Sequence, residues 1–144
     1  MQRTAEAVSL GHPDKIADYI SSYILDRLIE QDPHTRYAVE VMIKGNTVVL
    51  GGEIKSVVSF SGEAIKSFVL MALAEIGYSK DYAAIWKDKA IEPDKVNVIN
   101  LIGLQSSEIN QGVEQNGWGD QGVYVGYACQ GEDNISPGQN LARK

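Results

Sequence analysis

The stretch 36-RYAVEVMIKGNTVVLGGEI-54 decides the fold class. Tyr37, Val39, Val41 and Ile43 alternate with Ala38, Glu40 and Met42. A period of two puts one set on a buried sheet face and the other outside. Gly45-Asn46 is a tight-turn pair, and residues 47–54 read as the returning strand of a β-hairpin. Upstream, Ile16, Ile20, Ile24 and Leu28 recur every four positions with Tyr23 alongside. That spacing predicts a helix over 13–31 with one buried stripe, ended by Asp32-Pro33. Downstream, Ser61 reads as the cap of a second helix carrying Ile65, Phe68, Val69, Ala72, Leu73 and Ile76, and Gly77 is a natural stop. Residues 4–9 and 95–102 read as further strands, and residues 79–94 as loop-rich. The order β-α-β-β-α-β predicts an α+β two-layer sandwich, a mainly antiparallel sheet with helices on one face. Residues 105–120 are polar and rich in Gly, Asn, Gln and Ser. Residues 121–129 read as a last strand with no evident partner, hence a docking edge, and residues 130–144 as a polar, weakly patterned tail.

The chain has 144 residues, 44% of them hydrophobic, enough for one domain with a real core. Its 13 basic and 19 acidic residues give a net charge of −6. That balance excludes non-specific nucleic-acid binding, which needs a positive footprint. Cys129 is the only cysteine, so no internal disulfide forms, in keeping with a reducing compartment. Residues 1–6 lack the apolar stretch of a signal peptide, and no run reaches membrane-spanning length. The expected location is cytoplasmic, with no membrane partner.

Chemistry concentrates in Gly11-His12-Pro13-Asp14-Lys15, which opens directly into the first helix. Backbone N–H groups and the helix dipole favour an anion there. Pro13 suits the first helical position, where its missing N–H costs nothing. A histidine, a carboxylate and a lysine at such a place suit polyphosphate and metal. The run 117–122, Gly-Trp-Gly-Asp-Gln-Gly, repeats the theme around Asp120. Taken alone, the first motif is also what a helix-capping turn looks like, and the second an ordinary hairpin turn. Glu40 in an alternating strand reads as a solvated-face residue, and Trp118 as either a loop anchor or a pocket wall.

The run 6–18, EAVSLGHPDKIAD, resembles the N-terminal signature of the S-adenosylmethionine synthetases. Further segments agree in the same order: Leu25-Asp26, Glu30-Gln31-Asp32-Pro33, Gly51-Gly52-Glu53-Ile54, Glu75-Ile76-Gly77-Tyr78, Gln105-Ser106, Ile109-Asn110-Gln111-Gly112-Val113, Gly119-Asp120-Gln121-Gly122 and Gly126-Tyr127-Ala128. The resemblance implies residues 1–104 as the family's N-terminal domain, 105–118 as a loop that gates the site, and 119–144 as the start of the central domain. It implies transfer of adenosyl from ATP to the sulfur of L-methionine, with pyrophosphate and phosphate released, using Mg²⁺ and K⁺. His12 would hydrogen-bond the triphosphate near the breaking bond, and Lys15 would sit beside the phosphates; these two are the catalytic candidates. Asp14 would hold Mg²⁺, which prefers hard oxygen ligands. Glu40 matches the K⁺ position. Glu53, Gln105 and Asp120 match positions contacting methionine, and Asp120 also lines the ATP pocket.

Several positions depart from that pattern. Leu10 stands where the family usually has glutamate, Ser107 replaces proline, Glu108 replaces aspartate and Trp118 replaces a small residue. The gap between Val113 and Gly117 is several residues short, and the usual Glu-Thr pair after Ala128 is blurred into Gln130-Gly131-Glu132. The family's later domains supply most of the cations that grip ATP. Near the motif this sequence offers His12 and Lys15 against roughly three to four negative charges, groups that call for charge-assisted contacts. The expectation is a subunit of a split methionine adenosyltransferase, a second polypeptide supplying the missing domains. Two alternatives are a non-catalytic protein that binds synthetase subunits or nucleotide, and a self-sufficient homo-oligomer.

Overall fold

Helix α1 spans Pro13–Ile29 and buries Ile16, Ala17, Ile20, Ile24 and Leu28, the stripe expected from the four-residue spacing. The computed structural model describes residues 4–104, 123, 126–130 and 135–144. Strand β1 (Arg36–Lys44) and strand β2 (Thr47–Lys55) pair antiparallel, with Val39 opposite Gly52 and Lys44 opposite Thr47. Gly45 turns the tip with φ +56, a value few non-glycine residues adopt. Helix α2 (Gly62–Ile76) starts at Ser61, whose hydroxyl accepts from the Ala64 N–H, and ends at Gly77, φ +118. There the Gly77 and Tyr78 N–H groups return to the Leu73 and Ala74 carbonyls, satisfying the helix end. Helix α3 (Lys80–Trp86) is short and capped by Ser79. Two 3₁₀ turns, Lys87–Lys89 and Pro93–Lys95, lead into strand β3 (Asn97–Leu104).

The α+β class holds, and several details differ from the sequence reading. Residues 79–94, read as loop-rich, contain α3 and the 3₁₀ turn Lys87–Lys89, because Ser79 caps a helix there. The sheet is mixed, because β3 pairs parallel to β2, in the order β1-β2-β3. Helix α2 carries the chain back along the sheet before β3 begins, so β3 must run the same way as β2. Residues 4–9 form no strand: they lie exposed along the start of α1, where alternation has no second layer to pack on. Of the strand expected over 121–129, Val123 and residues 126–129 are irregular. Val123 and Tyr127 are exposed, and the remaining positions lie outside the described residues. The tail contains a short helix, α4 (Pro137–Arg143), on a Ser136 cap.

Both long helices cover one sheet face. The core joins Ile16, Ile20, Ile24 and Leu28 of α1, Ile65, Val69, Ala72 and Leu73 of α2, and Val39, Val48 and Leu50 of the sheet. Each such aliphatic side chain contributes about 1.5–3 kcal/mol on burial. The α1–β1 turn is latched by Asp32, whose carboxylate accepts from the Ser56 hydroxyl (2.7 Å), the Val57 N–H (2.9 Å) and the His34 N–H (3.0 Å). At the other end, Asn46 ties the hairpin tip to the entry of β3. Its side-chain oxygen accepts from the Glu92 N–H at 2.7 Å and its carbonyl from the Asn97 N–H at 2.8 Å.

Candidate active site

His12 is the N-cap of α1. Its Nδ1 accepts from the Asp14 N–H at 3.2 Å, filling one of the donors that every helix start leaves open. Its own N–H closes a turn onto the Ser9 carbonyl at 3.1 Å. The cap fixes the chemistry of the ring: an Nδ1 that accepts carries no proton, so in the neutral imidazole Nε2 holds the hydrogen and is a donor. Asp14 sits in the first helical turn with 91% of its side chain exposed, 4.0 Å from His12 Nδ1. Lys15 donates to the Val8 carbonyl at 3.0 Å, tethering residues 4–9 to the helix start. One helical turn further, the Tyr19 hydroxyl donates to Glu75 of α2 at 2.5 Å and locks the two helices beside Lys15 and Leu10. That hydrogen bond to Glu75, before burial, raises Tyr19 above the ordinary tyrosine range.

Around Gly11 the surface opens into two clefts. One, of about 220 Å³, includes Gly11, Pro13, Lys44, Tyr78, Asp88 and Lys89 in its wall. The other, of about 270 Å³, lies between Gly11, Ile76, Gly77, Tyr78 and Tyr82. Sequence reasoning missed Lys44 and Lys89 as cations near the motif. Antiparallel α1 and β1 bring the hairpin tip under the helix start, and the 3₁₀ turn 87–89 is folded against it. The available signal was the α1–β1 connection, six residues between Ile29 and Arg36, which forces that antiparallel return.

Glu40 and Glu53 lie elsewhere. Glu40 pairs across from Gly51, and Glu53 across from Ala38. Both therefore point to the sheet face opposite the helices, on adjacent strands and diagonal to each other, about 7–8 Å apart by strand geometry. Glu53 is six residues from Thr47, so it stands about 20 Å along the sheet from the end where His12 sits. The structure thus brings His12, Asp14 and Lys15 together, and separately aligns Glu40 with Glu53. Gln105 and Asp120 lie outside the described residues.

The donor set can be tested against the implied ions. Among the described residues no three His, Cys, Asp or Glu side chains gather as a metal cluster. Mg²⁺ is commonly held by one or two carboxylates plus substrate phosphates. Exposed Asp14 beside a helix start suits that shared mode of ligation. Glu40 offers one exposed carboxylate to a cation on the outer face. No helix among the described residues is long and apolar enough to cross a membrane.

Known proteins share this sequence and fold. The family model described as S-adenosylmethionine synthetase, N-terminal domain, matches residues 1–107. S-adenosylmethionine synthase 2 of Rhodospirillum rubrum is 37% identical over 139 residues, 93% of this chain and 34% of that protein. The S-adenosylmethionine synthase of a Nitratiruptor species is 38% identical over 138 residues, covering 93% and 33%. A solved structure of an unusual S-adenosylmethionine synthetase from Campylobacter jejuni superposes with a TM-score of 0.68 at 41% identity, over 76% of this chain and 28% of that one. The chain therefore spans about a third of the length of the curated relatives it matches.

Proposed function

The chain belongs to the S-adenosylmethionine synthetase family through that family's N-terminal domain, and we propose that it acts as one subunit of a divided methionine adenosyltransferase. The assembly would form S-adenosylmethionine from ATP and L-methionine and release pyrophosphate and phosphate. A second polypeptide would carry the missing two-thirds of the family's length. The observation that carries the reading is the His12-Pro13-Asp14-Lys15 run, held as a capped, exposed helix start in a chain that matches the family nearly throughout. We assign residues 1–104 as the domain proper, 105–118 as a gating-type loop and 119–144 as the start of the central domain, in a cytoplasmic protein.

The chemistry is a displacement at carbon, in which sulfur and C5′ must be aligned and the departing triphosphate stabilised. His12 Nε2–H donates toward the oxygen that gains charge as the bond breaks. Lys15, released from the Val8 carbonyl, turns its ammonium to the phosphates. Asp14 would supply a protein oxygen for Mg²⁺, which would neutralise phosphate charge when bound. On the outer sheet face, Glu40 would offer its carboxylate to K⁺, and Glu53 would accept from the ammonium group of methionine; the resemblance adds Gln105 and Asp120 to the methionine contacts.

One geometric fact favours an assembly over a lone chain: His12 and the Glu40–Glu53 pair occupy opposite sides of the sheet. The second chain is a different polypeptide in the split enzyme, or a further copy in a homo-oligomer. Leu10, 69% exposed on the motif's own turn where glutamate is usual, favours the alternative of a non-catalytic partner of synthetase subunits. The deciding experiment measures S-adenosylmethionine formation with ATP, methionine, Mg²⁺ and K⁺, by the chain alone and by the complex purified from native cells. The split reading expects no product from the chain alone, and product from the complex that disappears on His12→Ala. Product from the chain alone means the homo-oligomer, and a complex unaffected by His12→Ala means the regulator.

A further inference from the structure

Tyr78 follows the Gly77 cap of α2 and is delivered by it to the turn that carries His12. Its hydroxyl lies so close to Gly11 that a Cβ built there would stand 3.1 Å from Oη. His12 is the next residue, one 3.8 Å Cα step on, so Oη lies within about 8 Å of the His12 Cα. The ring is fixed on two sides. It packs against the core, and it meets Tyr82 edge-on, centroids 5.8 Å apart at 88°. The hydroxyl itself makes no hydrogen bond among the described residues, although it lines both clefts that flank Gly11. One of these also holds Lys44 and Lys89, against a single carboxylate, Asp88. Neither lysine has a partner among the described residues. A rigidly held tyrosine with an unused donor, in a cleft of net positive charge, is suited to an anion.

We propose that the Tyr78 hydroxyl is a binding group of the phosphate end of this site, donating to an oxygen of a polyphosphate whose neighbouring oxygen takes the His12 Nε2–H. The proposal rests on the synthetase reading above and extends it to a residue of α2. Burial, followed by the influence of Tyr82, holds the Tyr78 hydroxyl above the ordinary tyrosine range, so it keeps its proton at neutral pH. It contributes no charge and meets an anion as a donor, which leaves the motif's own cations to neutralise the ligand.

The test is calorimetric titration of the purified chain with inorganic tripolyphosphate and Mg²⁺. Tyr78→Phe keeps the ring, the contact with Tyr82 and the packing, so the melting temperature should not move. Affinity should fall about tenfold to a hundredfold, the weight of one hydrogen bond to a charged ligand. Gly11→Ala crowds the hydroxyl and should weaken binding in the parent chain, with little further loss in the Tyr78→Phe chain. Tyr78→Phe that binds as tightly as the parent overturns the proposal. So does Gly11→Ala that costs the same in both backgrounds, or a parent chain that binds no tripolyphosphate. In each of those cases S-adenosylmethionine formation by the complex still decides the synthetase reading separately.

Discussion

Gly51 and Gly52 stand side by side before Glu53, and the structure gives them opposite tolerances. Gly52 has φ +127, and a Cβ there would lie 2.0 Å from the Ala38 carbonyl oxygen and 2.9 Å from the Val39 Cα. Both obstacles are backbone of the paired strand, so no side chain can rotate away. Relief would require β1 and β2 to part by about 1 Å or more, near the centre of the hairpin that forms two of the sheet's three strands. Overpacking of this kind costs about 1–3 kcal/mol, and a non-glycine residue in such a backbone region about 1–3 kcal/mol more. Gly52→Ala is therefore expected to destabilise the chain by about 4 kcal/mol, near 15 °C in melting temperature at about 4 °C per kcal/mol. At Gly51 a Cβ would meet nothing within 4 Å, and φ is not positive. Gly51→Ala should be neutral or stabilising by up to about 1 kcal/mol. Thermal unfolding followed by circular dichroism measures both. A Gly52→Ala chain within 1 kcal/mol of the parent, or a Gly51→Ala chain equally damaged, would refute the account.

Ile24 is 0% exposed at the centre of the α1 stripe, and Ile24→Ala should cost about 2–5 kcal/mol in denaturant titration. Asp32 is held below the usual carboxylate range by the Val57 N–H, then the Ser56 hydroxyl, then the His34 N–H. A depressed folded value means that the stabilisation is complete above the unfolded value of about 3.9 and is lost as pH falls through the folded one. Asp32→Asn should therefore flatten the acid limb of the stability curve below about pH 4, with little change in its slope near neutrality. At His12, cap and chemistry can be separated. His12→Ala should lower stability by about 1 kcal/mol, and His12→Asn should keep the cap; both should abolish product formation by the complex.

The elements with strong periodicity were legible from the sequence. Ile16, Ile20, Ile24 and Leu28 placed α1, and Tyr37 through Ile43 placed β1 with the correct inward set. Ser61 and Gly77 bounded α2 because capping chemistry is local. What escaped is decided by distant partners. Residues 4–9 were readable as a short strand, but a strand depends on a neighbour that the sequence does not reveal, and here they lie exposed instead. The direction of β3 follows from the crossover through α2, not from its own composition. Ser136-Pro137 carried the start signal of α4, yet the residues after it have no apolar stripe to announce a helix. In the site, the cap geometry of His12 was readable from its place before Pro13. Tyr78 had no chemical signal in its own neighbourhood, since its relevance comes only from the fold that sets α2 against the Ser9–His12 turn.

The spatial division of the expected site residues bears on how catalysis could be organised. The groups suited to phosphate, His12 and Lys15, sit at the hairpin end of the helix layer, where Lys44 and Lys89 add charge. The carboxylates suited to cations, Glu40 and Glu53, sit on the other side of the sheet, Glu53 about 20 Å along it. A sheet about 10 Å thick with its packed layer cannot be crossed by a side chain, so the two sets do not meet through it within one chain. On the proposed reading each set would be half of a site, completed by a face of another chain. Met42, Ile99 and Leu101 surround the carboxylates and are exposed, which would let that face pack against another surface while carrying Glu40 and Glu53 to it. In the proposed assembly a second chain would supply both the missing cations and the alignment that displacement at carbon requires.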